Sequence, residues 1–475
     1  MKFNKLLLTT VIMGGALGGL YGCTEGDETS ILIEGDENPS NPGNGNGNGQ
    51  ISSCPGWTDP QPQRNGTDVC ELPSEILQDR TLTADTIWRM DGRVTVGNGN
   101  QLMSENEGTL ESGDAVLNVT LTVQPGTQII GAQGEFANMI ITRGSEIIAD
   151  GTAQDPIIFS SEDEGFEGSG EFGGLILHGY GIHNQCPDTG ACNIDSEGES
   201  GFAGGNTADD SSGVLRYVIV AEGGFEFATG NEINGISLVG VGSGTEMEYI
   251  QVQGNSDDGI EFYGGDVNVK YLVLTDNLDD SVDWDEGFQG NLQYVIARQS
   301  QNSEGNAGEF DTEGAPLRLS KPTIANATFI GAGAQDVLHV LKAASGGLFH
   351  NTVMTWTDGP TGKSCVSVQG SGAEQNVNDG AIVYNNVIAD CETFANVSIP
   401  METVDMVPAD LNDLYASQAA EAQLAEAIDW TEINGTYPES VADADYLDET
   451  DYVGAVDPNA SSAWYEGWIL EGTLP

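Results

Sequence analysis

Three short segments, GIEFY at 259–263, SVDWD at 281–285 and GEFD at 308–311, repeat one arrangement of apolar and acidic residues. Successive side chains of a strand point to opposite faces. With Ile260, Phe262, Val282, Trp284 and Phe310 turned inward, Glu261, Tyr263, Asp283, Asp285, Glu309 and Asp311 face outward. Glu261, Asp283 and Glu309 are 22 and 26 residues apart. If each interval is one coil of a wound β structure, the second lengthened at a turn, these carboxylates stand about 5 Å apart. Two like charges at that distance repel by roughly 3 kcal/mol at an effective dielectric of 20, and like charges opposed in a sheet are normally avoided. A Ca²⁺ ion, which takes roughly six to eight oxygens, would turn the repulsion into ligation. Asp257, Asp258, Asp279, Asp280 and Glu286 flank the same strands and offer further oxygens. The plainer alternative is a solvated acidic face, with the Asp pairs bonding their own backbone in turns. Asp283 to Gly287 carries only part of a calcium-loop signature.

These strands belong to a chain of 475 residues with 74 acidic and 14 basic side chains and a net charge of −60. Such a chain is a poor partner for nucleic acid, whose phosphates need Lys and Arg, and for anionic lipid. The charge also suits solubility in a salty medium, where self-repulsion is screened within about 8 Å.

The N-terminus predicts export. Lys2 and Lys5 precede the apolar run Leu6 to Leu20, and Leu20-Tyr21-Gly22-Cys23 follows. This resembles a bacterial lipobox, which implies a signal peptide over 1–22 and lipid on Cys23. No later run reaches the about 20 apolar residues of a transmembrane helix. The expectation is a chain held to the outer membrane only by its lipid, on the periplasmic or the cell-surface side. Residues 23–50, acidic and then GNGNGNG, read as a flexible tether. The six remaining cysteines fall into sequence neighbours, Cys54/Cys70, Cys186/Cys192 and Cys365/Cys391. In an exported chain they read as disulfides, with local pairing preferred among about 15 connectivities.

From 115 to 400 the chain consists of short β-type runs separated by Gly, Asn and Asp. Tyr249, Tyr271 and Tyr294, in EYIQV, KYLVL and QYVIA, are 22 and 23 residues apart, and Val353 in HNTV and Val387 in YNNV suggest two further turns. A period of that length is one coil of a parallel β-helix, whose coils bury their inner faces only by stacking. Right-handed winding follows the preference of parallel crossovers. Residues 51–114 form either a small N-terminal cap or the first coils, and the cap, stapled by Cys54 and Cys70, is the preferred expectation. Residues 401–475 are expected to form a C-terminal helical cap and tail, with an amphipathic helix over 408–428 closing the open end. The predicted fold is thus all-β, a right-handed parallel β-helix solenoid with a C-terminal capping helix.

The segments LTVQPGTQIIG, IADGTAQDPIIFSS, FGGLILHG, NEINGISLVGVGSGTEMEYIQVQGNSDDGIEFYGG and DDSVDWDEG, with the ending DYVGAVDPNASSAWYEGW, resemble exported bacterial right-handed β-helix lipoproteins of pectate-lyase-like architecture. That resemblance implies the fold and the export route, and it carries no settled activity. Calcium-dependent polysaccharide lyases of this architecture bind a uronate through the metal, and a basic residue takes the proton beside the carboxylate. Arg298, Arg318, Lys321 and Lys342 are the candidate bases, with charge compensation of nearby acids as the plainer reading. A hydrolase needs two carboxylates about 5 to 9.5 Å apart, a condition that so acidic a chain meets by chance. The chain has no G-x-S-x-G elbow and no H-E-x-x-H zinc motif, and Gly362-Lys363-Ser364 lacks the glycine spacing of a phosphate loop. His178, His183, His339 and His350 are scattered. The favoured function is binding of an extracellular ligand, most plausibly a polysaccharide, through Tyr263, Asp283 and Asp285 on a calcium-supported face. A polysaccharide lyase or hydrolase is the second reading, and a structural or adhesive surface protein the third. The oligomeric state is left open.

Overall fold

The structure, a computed structural model, describes residues 53–399 and 446–474, apart from 105, 187–190, 197, 229–230 and 314–317, together with the backbone of the strand Val404–Met406. The expected export segment and tether, Cys23 and the helix expected over 408–428 lie outside the described residues. Among the described residues no helix is long and apolar enough to cross a membrane.

One coil shows how the chain winds. The strand Ile260–Tyr263 lies parallel between Ile236–Val239 and Val282–Asp285. A turn leads to Asn268–Thr275, which lies parallel between Glu246–Gln253 and Asn291–Arg298. Repetition gives two sheets, one of 11 strands and one of 16. The larger sheet is bent along its length into two walls. In an early coil the walls are separate strands, Glu146–Asp150 and Ile157–Ser161, and both pair with the single strand Gly213–Ala221 of the next coil. The fold is a parallel β-helix.

A left-handed residue makes the bend in each later coil. Tyr217, Tyr249, Tyr271, Tyr294, Asn326, Asn351 and Asn386 all have φ between 50° and 60°. This conformation costs a non-glycine residue about 1–2 kcal/mol. The tyrosines offset it by stacking in a row, with ring centroids 4.3, 4.3 and 4.8 Å apart. The asparagines tolerate it and bond along the row, as Asn386 Nδ2 does to Asn351 Oδ1 at 3.0 Å. The tyrosine repeat seen in the sequence is this corner. Its later members are Asn351 and Asn386 rather than Val353 and Val387, which stand in different registers.

The inner faces form one apolar core in which aromatic rings stack from coil to coil: Phe262 on Phe288 at 4.3 Å, Trp284 on Phe310 at 3.6 Å and Phe349 on Tyr384 at 4.4 Å.

The boundary expected at 115 needs correction. Thr67–Glu71 already pairs in parallel with Thr86–Met90, and Glu75–Ile76 with Val94–Val96. Leu82, Trp88 and Val94 belong to the shared core. Residues 67–96 are therefore the first coils and not a separate cap, because their apolar faces have no other core to join. Ahead of these coils Asp59–Arg64 runs antiparallel to Thr67–Glu71, covering the first exposed edge. The three disulfides link Cys54–Cys70, Cys186–Cys192 and Cys365–Cys391, as local pairing suggested.

The ending DYVGAVDPNASSAWYEGW forms a strap along the tyrosine corner. Trp468 meets Tyr217 and Tyr249 edge-on at 5.7 and 6.0 Å, and Trp464 meets Tyr271 at 5.3 Å. Farther along the row, Gly454 N donates to the Asn351 carbonyl at 2.9 Å. A short helix, Gly370–Asn378, buries Ala373 and Val377 late in the solenoid.

Candidate functional site

The 11-stranded sheet carries the acids on its outer face. Strand pairing puts Glu261 opposite Asp283 and Asp283 opposite Glu309, while Tyr263 stands opposite Asp285. Ile260, Phe262, Val282, Trp284 and Phe310 are fully buried on the inner side. The turns preceding these strands add a second row. Asp280 N donates to Asp258 Oδ1 at 2.9 Å, and Asn306 N donates to Asp280 Oδ1. Asp258 and Asp280 are only 6% and 5% exposed, so both carboxyls sit within the turn stack instead of projecting into water.

The two rows converge. Three groups, Asp258–Glu261–Asp283, Asp280–Asp283–Glu309 and Asp257–Asp258–Asp279, each bring carboxylate oxygens within 4.8 Å of one another. Asp283 is common to two of them. Its Oδ1 is sealed from solvent and has no hydrogen-bond partner. Burial raises the Asp283 carboxyl well above the usual carboxylate range, and the charges of Glu261, Asp280 and Glu309 raise it further. Asp258 and Asp280 are raised well above that range in the same way, first by burial and then by neighbouring carboxylates. Burial also raises Asp279, with Glu309 and Glu304 adding to it.

The remaining members differ in their surroundings. Glu261 accepts from the Tyr263 hydroxyl and from Asn234 Nδ2, the latter at 2.6 Å. Asn234, one coil earlier, did not stand out in the sequence because its partners are 27 and 29 residues away. Asp285 Oδ1 accepts the N–H groups of Glu286 and Glu313, both at 2.5 Å. Burial, with help from Asp311 and Glu286, still pushes Asp285 up to about 7. Asp311 closes its own turn by accepting from Thr312 N at 2.5 Å, and burial raises its carboxyl.

Of the four candidate bases, only Lys342 reaches the acids. It pairs with Glu309 and lies 4.0 Å from Asp311. Burial favours its neutral form, but the hydrogen bond to Glu309 and the charges of Glu309, Asp283 and Asp311 outweigh this and push it up to about 12. It is a fixed cation at neutral pH and poorly suited to accept a proton. Arg298 lies in the larger sheet on Asp276, at 3.2 Å. Arg318 is held by Asp266 and by the Ile182 carbonyl, the latter at 3.0 Å. Lys321 forms no ion pair among the described residues, and its backbone N–H bonds the Phe288 carbonyl at 2.9 Å. Glu286 lies on His183, with Oε2 2.5 Å from Nε2. Burial lowers His178 and His339 to about 3 and His350 to about 4, so all three are neutral interior groups.

A parallel β-helix whose 11-stranded sheet bears stacked acids on its outer face defines the class of this protein. Residues 74–468 match the family described as pectate-lyase like beta helix domain, and the chain belongs to that family. The match begins inside the region expected to be a separate cap. No curated protein matches the chain. Among solved structures, the Streptococcus pneumoniae surface protein and adhesin PfbA is similar over 70% of this chain and 89% of its own, with 8% identity and a TM-score of 0.17. A likeness that distant carries no argument.

Proposed function

We propose that this chain is an exported lipoprotein, anchored to the outer membrane through Cys23, that binds an extracellular polysaccharide on a calcium-supported acidic face. The observation that carries the reading is the unpartnered Asp283 oxygen at the junction of two carboxylate groups. A buried acid without a partner costs about 1–3 kcal/mol or more, and a hard cation with oxygen ligands offsets that cost. Ca²⁺ would draw on Asp258, Glu261 and Asp283, with Asp280 and Asp279 beside them and Asp257 at the rim. The extended stack of parallel strands around this group suits an extended polymer. Lys342 is held in an ion pair by Glu309 that a lyase base would have to break, which favours binding over lyase chemistry.

The test incubates the protein with a panel of polysaccharides in calcium and then in chelator, following both retention and product. Calcium-dependent retention without product, lost in Asp283→Asn, is expected. Unsaturated ends appearing only with calcium would replace binding by a lyase. Neither retention nor product with any polymer would leave a surface protein whose acids serve solubility.

A further inference from the structure

A second acidic group lies in earlier coils and shares no residue with the face above. We propose that Asp163, Glu171 and Glu222 form a separate Ca²⁺ site that holds the loop 162–171 against the body of the solenoid. Asp163 follows the strand Ile157–Ser161 and Glu222 follows Gly213–Ala221, so adjacent coils bring them to one corner. Glu171 returns to it at the far end of the loop. The three offer carboxylate oxygens within 4.8 Å of one another. That separation fits oxygens sharing one ion at about 2.3–2.6 Å each.

Two of the oxygens point to a ligand. Glu222 is only 1% exposed, and its Oε2 is sealed from solvent without a hydrogen-bond partner. Asp163 Oδ1 is likewise sealed and unpartnered. Two protein donors reach other oxygens of the group: Gly168 N donates to Glu222 Oε1 at 3.1 Å, and Gln133 Nε2 to Glu171 Oε2 at 3.2 Å. The nearby arginines do not neutralise the trio. Arg64 donates to the Asp163 carbonyl, and Arg89 pairs with Glu162, Glu71 and Asp91. Burial, together with the charges of Asp163 and Glu171, pushes the Glu222 carboxyl up to about 7. The N–H groups of Gly168 and Ser161 soften that charge, only the former in hydrogen-bond geometry. An all-oxygen donor set without nitrogen or sulfur selects a hard cation such as Ca²⁺ over zinc or copper.

The ion would have a mechanical consequence. Gly165 and Phe166 line two clefts, one of about 670 Å³ completed by Gln253, Asp276 and Leu470, the other by Arg64, Gln128 and Ser160. Fixing both ends of the loop fixes the wall between them.

Calcium is titrated calorimetrically into the full chain as wild type, Glu222→Gln, Glu171→Gln and Asp283→Asn, with hydrogen exchange at 162–171 as a second readout. The expected result is one Ca²⁺ fewer in each of the two Glu variants. Asp283→Asn should retain the calcium-dependent slowing of exchange in the loop, and Glu222→Gln should lose it. Unchanged stoichiometry in both Glu variants overturns the proposal, as does a wild-type chain that binds no Ca²⁺. Should Glu222→Gln fail to fold, the half-buried Glu171→Gln decides alone. An ion lost only in Asp283→Asn would sink this site and leave the acidic face standing, and an ion lost only in the Glu variants would do the reverse.

Discussion

Two outward rows of this solenoid are built by the same device and end in opposite states. Along the bend of the larger sheet, Tyr217, Tyr249, Tyr271 and Tyr294 stack ring on ring, and Trp464 and Trp468 of the C-terminal strap cover the first three. Along the smaller sheet, Glu261, Asp283 and Glu309 stack carboxylate on carboxylate, and one base, Lys342, stands at one end. Parallel winding places equivalent side chains about 4.8 Å apart whatever their chemistry. For aromatic rings this spacing is attractive, and the row needs only a cover. For carboxylates it is repulsive, and the row needs a counter-charge. The tyrosine corner is accordingly closed by contacts within the chain, whereas the acidic face leaves Asp283 Oδ1 sealed and without a partner.

The sharpest break in this contrast removes the cover. Trp468 is buried against two tyrosines, so Trp468→Ala should cost about 3–5 kcal/mol and expose 464–474 to hydrogen exchange. The calcium binding proposed for the acidic face should be the same in this variant as in the wild type. Wild-type melting of this variant would mean that the strap lies on the corner without stabilising it.

The next effect belongs to the acids. Unfolded carboxyls titrate near 3.8, whereas folded Asp285 sits at about 7 and Asp258, Asp280 and Asp283 lie well above 3.8. The folded chain therefore holds more protons than the unfolded chain in that window, and stability falls as pH rises from about 4 to about 7. Melting temperatures in chelator should show this decline, and calcium should flatten it. A chelator profile that rises over the same range would contradict the burial of these acids.

The smallest effect tests why the bend changes from Tyr to Asn. Tyr249→Ala and Tyr249→Asn both lose the ring stack, but Asn visits the left-handed region more readily. Denaturant melts should place the Asn variant about 1 kcal/mol above the Ala variant. Equal stabilities would show that the stack alone decides this corner.

Much of this was legible before the fold was known. Strand alternation and the intervals of 22 and 26 residues placed Glu261, Asp283 and Glu309 in one row, because a β-helix converts sequence period directly into spatial neighbours. Local cysteine spacing likewise anticipated the three disulfides. The sequence left a cap and first coils as alternatives for 51–114, with the cap preferred, because short strands such as Glu75–Ile76 and Arg80–Leu82 carry too few residues to display a period. Tertiary structure alone decided which acids are buried, which base reaches them and what the C-terminal segment covers. Asp258 and Asp280 look like ordinary turn residues, yet stacking of turns removes them from water. Arg298, Arg318, Lys321 and Lys342 are alike as scarce bases, yet only the last reaches the acidic row. Glu222 and Asp163 are 59 residues apart with no shared motif. A repeat determines which residues meet along the axis of the solenoid, whereas insertions and straps, being aperiodic, determine what is enclosed around it.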